Sequence, residues 1–144
     1  MLNSRFWITT GAVLGGVGVA LGAFGAHGLA ERLAGFGYDA SEVARRSDIF
    51  ETAVRYQMYH APLLILIGLL APRSCTKLLR TAGIAFLTGM LIFSGLLYVL
   101  VFAGSDWRWL GAIVPIGGVS LIFGWVCLAL TGRHTDKCPV DGGN

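Results

Sequence analysis

The chain has 144 residues, of which 55% are apolar and only 13% charged, against the roughly 25% charged residues of an ordinary soluble domain. With a mean hydropathy of +0.69, that balance excludes the ordinary soluble class and leaves a membrane protein with room for one domain. The net charge of +3 and pI near 9.0 do not signal nucleic acid, because the basic residues stand singly or in pairs between apolar stretches rather than on one face.

A hydrocarbon layer about 30 Å thick takes roughly 20 helical residues to cross. Four uncharged stretches suit that length: Phe6 to Ala26, Tyr56 to Pro72, Thr81 to Ser105 and Trp109 to Gly132. Backbone groups in lipid must bond one another, which leaves helices or a closed barrel. None of the stretches alternates like a strand, so helices are expected. The architecture read from this is all-α: a polytopic bundle of four transmembrane helices, spans about 6–27, 49–71, 80–104 and 108–132, in a single domain 1–132 with a polar tail 133–144.

The first span places Gly11, Gly15, Gly18, Gly22 and Gly25 at alternating intervals of four and three, the period of a left-handed helix pair seam. Small residues let membrane helices approach closely, so this stripe is expected to be covered by a neighbouring helix. A cleaved signal peptide is set aside, because the apolar stretch is longer than a usual signal core and the chain begins at Met1. The first connection, Gly28 to Ser47, is long enough for structure of its own. It reads as a surface flap of two helical pieces, Leu29 to Ala34 closed by Gly35 and Ala40 to Arg46 opened by Asp39 and Glu42.

The second span is expected to start near Ile49, where Asp48 and Glu51 have the form of a capping box. Its first turns carry the favourably ordered pair Glu51 and Arg55, and Pro72 closes it. Pro62 removes the hydrogen bond to Met58 within it. Ser94 and Gly95 supply small packing positions on the third span, which a tight turn from Gly104 to Arg108 folds back into a hairpin with the fourth. There Gly111, Gly117, Gly118 and Gly124 form a second packing face, and Pro115 is expected to kink the helix by removing the bond to Gly111. Trp7 at one boundary and Trp107 and Trp109 at the other are placed for interfacial belts.

Orientation rests on Lys and Arg near the span ends. Arg5, Arg73, Lys77, Arg80, Arg133 and Lys137 share the side of the termini; Arg32, Arg45, Arg46, Arg55 and Arg108 share the other. The bias of six to five favours cytoplasmic termini, which puts Cys75 and Cys138 in a reducing compartment. Neither they nor Cys127 shows metal-ligand spacing, and free thiols are expected.

Ionisable residues inside a membrane helix are functional candidates by default. His27 ends the first span and His60 lies about a turn inside the second, near Glu51, Tyr56 and Gln57, so a polar cluster is expected in that half of the membrane. Haem ligation by the two histidines is one use of such a pair, although their depths differ. Proton transfer through Glu51, Tyr56 and His60 is another. The preferred reading is structural: Glu51 caps a helix, His27 ends one, and neutral His60 bonds a tyrosine or a carbonyl. There is no nucleophile with a base, no carboxylate pair within a span, no metal motif and no phosphate loop. Enzymatic activity, metals and cofactors are not expected.

Leu21-Gly-Ala-Phe-Gly-Ala-His27, Tyr56-Gln-Met-Tyr-His60, Phe93-Ser-Gly-Leu-Leu-Tyr98, Pro115-Ile-Gly-Gly-Val-Ser120 and Gly124-Trp125 together resemble, in order and spacing, the domain of unknown function 423 family. That family includes small bacterial inner-membrane proteins of the YgdD type and the animal proteins called transmembrane protein 256. The resemblance runs to about Leu130 and implies a four-helix membrane protein with no established enzymatic activity. His27, Tyr56, Gln57, His60, Ser94 and Pro115 fall on its motif positions, and Pro62 departs from the pattern. The expected function is that of a non-enzymatic accessory subunit, scaffold or membrane-integrity factor, in contact with lipid and with other subunits or itself. The alternative is a small transporter or proton- or ligand-handling protein that uses His27 and His60.

Overall fold

A computed structural model describes residues 3–73 and 77–132. Cys75, Cys138, Arg133, Lys137 and the tail 133–144 lie outside the described residues. The elements, in chain order, are α1 (Ser4–His27), α2 (Leu29–Gly35), α3 (Ala40–Leu70), a 3-10 turn (Ala71–Arg73), α4 (Lys77–Phe102), a 3-10 helix (Ser105–Ala112) and α5 (Val114–Gly132). Among the described residues four segments are long and apolar enough to cross a membrane: α1, α3, α4, and α5 taken with the 3-10 helix before it from Trp107 on. The chain is an all-α polytopic membrane bundle.

Asn3 caps α1, its side chain accepting the Phe6 N–H at 3.0 Å. In the first connection α2 is packed rather than flap-like: Leu29 and Leu33 are buried with Phe50 and Val101 in an apolar cluster that closes this end of the bundle. Gly37, at φ +84°, makes the reversal into α3, a left-handed conformation that suits glycine. Helix α2 stops at Gly35, within a residue of the expected end, but the left-handed glycine is Gly37 and not Gly35.

The helix of the second span does not begin near Ile49. The piece expected over Ala40 to Arg46 and the span itself are one helix of 31 residues, about 46 Å long at the usual rise and so longer than the hydrocarbon layer. Asp39 starts it, accepting the Glu42 N–H at 2.9 Å and the Ser41 hydroxyl at 2.7 Å. Those two donors, the backbone one first, hold the Asp39 carboxyl below its ordinary 3.8. Asp48 caps nothing; its carbonyl accepts the Thr52 hydroxyl in mid-helix. Pro62 lies within the helix, which continues to Leu70.

The connection between α4 and α5 is also fuller than a tight turn, because the 3-10 helix occupies eight residues of it. Pro115 then falls in the first turn of α5, where its missing N–H has no helical partner to lose. It starts a helix and does not kink one.

Helices α1 and α3, α3 and α4, and α4 and α5 are the main neighbours. Close approach rests on glycines. A Cβ on Gly11 would stand 2.7 Å from the Ala61 carbonyl oxygen, one on Gly18 2.6 Å from Met58 Sδ, and one on Gly25 3.0 Å from the Phe50 ring. Gly22 meets Val54 more loosely, at 3.5 Å, and Gly15 has nothing within 4 Å. The seam therefore keeps four of its five expected members. Gly117 lies on the backbone of Phe93 and Gly124 on the Phe86 ring, while Gly118 and Gly111 make ordinary contacts and Gly95 faces open space. Trp7 does not face the lipid as a belt residue would: it is 2% exposed and its ring lies on Gly83 of α4. Trp107 and Trp109 are exposed, as a belt requires.

Candidate functional site

The Tyr56-Gln-Met-Tyr-His60 motif occupies about one and a half turns of α3 and turns its side chains toward three helices. Gln57 is buried and hydrogen-bonded at both ends of its amide. Its Nε2 donates to the Leu14 carbonyl of α1 at 2.7 Å, and its Oε1 accepts the Tyr98 hydroxyl of α4 at 2.9 Å. Leu14 O is an intrahelical acceptor with a second lone pair free, and Gly18 beside it leaves room, a Cβ there standing 3.4 Å from Gln57 Nε2. One amide thus joins α1, α3 and α4.

His60, one turn on, is 5% exposed. Its Nδ1 lies 2.7 Å from the Tyr56 carbonyl, and Trp125 Nε1 of α5 lies 3.2 Å from its Nε2. A carbonyl can only accept and an indole N–H can only donate, so the two contacts fix the neutral tautomer with the proton on Nδ1. Phe86 and the Tyr56 ring flank the imidazole at centroid distances of 5.7 and 6.2 Å. Tyr56 also packs on Phe93 at 4.4 Å. The rings of Tyr56, His60 and Phe93 line an open cleft of about 540 Å³ whose wall includes Tyr59, Trp125 and Arg55.

The other expected members of the cluster are not gathered here. Glu51 pairs with Arg55 at 2.8 Å on an exposed face, so no hydrogen-bonded chain runs from Glu51 through Tyr56 to His60. His27 stands exposed at the end of α1, and His60 has both nitrogens occupied by Tyr56 and Trp125. Among the described residues no three His, Cys, Asp or Glu side chains are grouped to hold a metal ion. Ser94, on a motif position, is buried with its hydroxyl unpartnered. Ser120 of α5 donates to the Ala85 carbonyl of α4 at 2.9 Å, a further helix-to-helix tie.

The strongest polar constellation was not singled out in the sequence. Arg46, 6% exposed, is buried where α4 ends. Its Nη1 donates to the Val101 carbonyl and lies 3.4 and 3.1 Å from those of Leu100 and Ala103. Its Nε donates to Glu42 at 2.8 Å, and its guanidinium carbon lies 4.0 Å from the centroid of the Tyr38 ring. The last carbonyls of a helix have no intrahelical donor and carry the negative end of its dipole. Arg46 supplies both the donors and the charge. Glu42 is shared, since Arg45 binds the same carboxylate through Nε and Nη2 at 2.8 and 2.6 Å.

Comparison with known proteins agrees with the motifs. The profile of the family described as protein of unknown function (DUF423) matches residues 21–118, which hold the first three motifs whole and the start of the Pro115–Ser120 motif. A UPF0382 membrane protein of Staphylococcus haemolyticus is 38% identical over 127 residues, covering 88% of this chain and 94% of the relative. The UPF0382 membrane protein YwdK of Bacillus subtilis is 35% identical, with the same two coverages, over 127 residues. One of Haemophilus influenzae is 36% identical over 126 residues, covering 85% and 90%. No solved structure matches the chain. With relatives aligned over nearly their whole length and a profile match from the end of α1 into α5, the chain belongs to the DUF423 family, and the relatives compared carry the name UPF0382 membrane protein.

Proposed function

We propose that the protein is a non-enzymatic accessory or scaffold subunit, or a membrane-integrity factor, of a bacterial cytoplasmic (inner) membrane, acting through helix packing, with both termini in the cytoplasm. The observation that carries this reading is a division among the small residues. Gly11, Gly18, Gly117 and Gly124 are consumed by contacts within the chain, whereas Gly15, Gly16 and Gly95 have nothing within 4 Å of the position a Cβ would take. Val13, Val17 and Val19 flank the open α1 glycines and are exposed, so that face of α1 is shaped to receive a second apolar helix, from another subunit or another copy. The polar side chains inside the bundle support the same reading, because Gln57, His60 and Ser120 each tie one helix to another.

Crosslinking in native membranes, followed by purification in mild detergent and mass spectrometry, tests the proposal. A reproducible partner or self-association, weakened by Gly16→Leu with the helical content unchanged, is the expected result. A strictly monomeric protein without a reproducible partner overturns the subunit reading.

A further inference from the structure

Independently of that reading, we propose that the cleft between the first turns of α3 and the end of α4 binds the phosphate of an anionic phospholipid headgroup. The cleft has a volume of about 590 Å³, and its walls bring together Arg45, Arg46 and Arg108 with, among the described residues, a single carboxylate, Glu42. Glu42 is divided between Arg45 and Arg46, and Arg108 has no ion pair among the described residues. Among the described lining residues, three cations against one anion leave an excess of two positive charges around one concavity. Arg46 is already immobilised by Tyr38 and the α4 carbonyls, so its ordering is complete before a ligand arrives, which favours binding. Arg45 and Arg46 add charge while their forks serve Glu42 and the carbonyls, and Arg108 keeps a guanidinium fork of the kind that matches phosphate oxygens bidentately.

Depth and polarity select a lipid over a soluble anion. The cleft lies where α4 gives way to the 3-10 helix whose Trp107 and Trp109 are exposed, and exposed tryptophans mark headgroup level in membrane proteins. Below the arginines its wall turns apolar with Ile49 and Leu100, a surface for the start of an acyl chain. The 31-residue length of α3 carries Arg45 and Arg46 to the same boundary.

The test uses the full chain purified in a nonionic detergent, titrated with phosphatidylglycerol and with phosphatidylcholine and followed by native mass spectrometry, with inorganic phosphate as competitor. Saturable, preferential binding of phosphatidylglycerol is expected. One basic side chain near a charged lipid surface corresponds to about fivefold in affinity, so Arg45→Gln with Arg108→Gln should weaken binding about 30-fold, while Arg→Lys at both positions retains most of it. Should the double variant lose helical structure, Arg108→Gln alone, which breaks no ion pair among the described residues, should show the single-charge loss. Equal binding of the two lipids, undiminished binding by folded glutamine variants, or displacement of the lipid by equimolar phosphate would each overturn the proposal.

Discussion

Arg46 and Ser94 are two buried polar residues with opposite histories in the fold. The guanidinium of Arg46 serves carbonyls that end α4 and a carboxylate on its own helix, and Tyr38 covers its face. Arg46→Met keeps the apolar stem but leaves those acceptors short of donors, at roughly 2–3 kcal/mol. Arg46→Lys retains charge without the fork and should fall between. Thermal unfolding in detergent, read by circular dichroism, should therefore rank wild type above lysine above methionine; an unchanged methionine variant would show the clamp to be idle. Ser94 presents the reverse case, a hydroxyl that is buried and unpartnered. Removing it in Ser94→Ala relieves an unmet desolvation cost of about 1 kcal/mol, so the same assay should show equal or greater stability, and a clear loss would reveal a partner for that hydroxyl. Neither role was legible in the sequence. Arg45 and Arg46 are adjacent, and only the helix rotation that turns one outward and the other toward the end of α4 distinguishes them. For His60 the sequence suggested a tyrosine or a carbonyl on another helix; the carbonyl it meets is that of Tyr56 on its own helix, and the tie between helices is to Trp125, 65 positions away, which only the packing of α5 could bring to it.

At the level of the helices, the stripe on α1 was readable because its period matches a helix seam, but period alone cannot say how wide the seam is. Gly11, Gly18 and Gly25 are seven apart and lie in the tightest contact, Gly22 is on the margin, and Gly15 falls off it. Alanine scanning should split these positions. Gly11→Ala drives a methyl against the Ala61 carbonyl, a backbone atom that cannot rotate away, and overpacking of this kind costs about 1–3 kcal/mol. Gly15→Ala meets open space and gains helix propensity of up to about 1 kcal/mol. Opposite signs in detergent unfolding are expected from two substitutions one turn apart on the same helix; the same sign for both would show that α1 does not meet α3 along this face. The start of α3 illustrates a different limit. Asp39 with Glu42 and Asp48 with Glu51 are the same signal nine residues apart, and local chemistry does not choose between them. The choice follows from burial of Arg46, Phe50 and Ala53, which needs helix through both. Pro115 was recognisable as a break for the same local reason that Asp39 was recognisable as a cap, yet whether it kinks a helix or begins one depends on the 3-10 helix before it.

For the whole molecule, four crossings have a consequence independent of any side-chain detail: both termini and the connection between α3 and α4 must lie on one side, with the first connection and the 3-10 helix on the other. Each cysteine then reports on a different part of that arrangement. Cys127 is buried inside the bundle, a setting in which a thiol is shielded from reagents. Cys75 belongs by sequence to the connection between α3 and α4 and Cys138 to the segment after α5, so an even number of crossings obliges the two to share a compartment. The proposed orientation makes that compartment the cytoplasm, in keeping with the excess of lysine and arginine on that side. A membrane-impermeant maleimide applied to intact cells, with single-cysteine variants keeping one thiol each, should label none of the three. Opening the membrane should expose Cys75 and Cys138 together, and Cys127 should react only after denaturation. Labelling of both tail and connection in intact cells would reverse the orientation while preserving the count of crossings, whereas labelling of one without the other, in a membrane sealed on the opposite side, would mean that one of the four apolar helices does not cross.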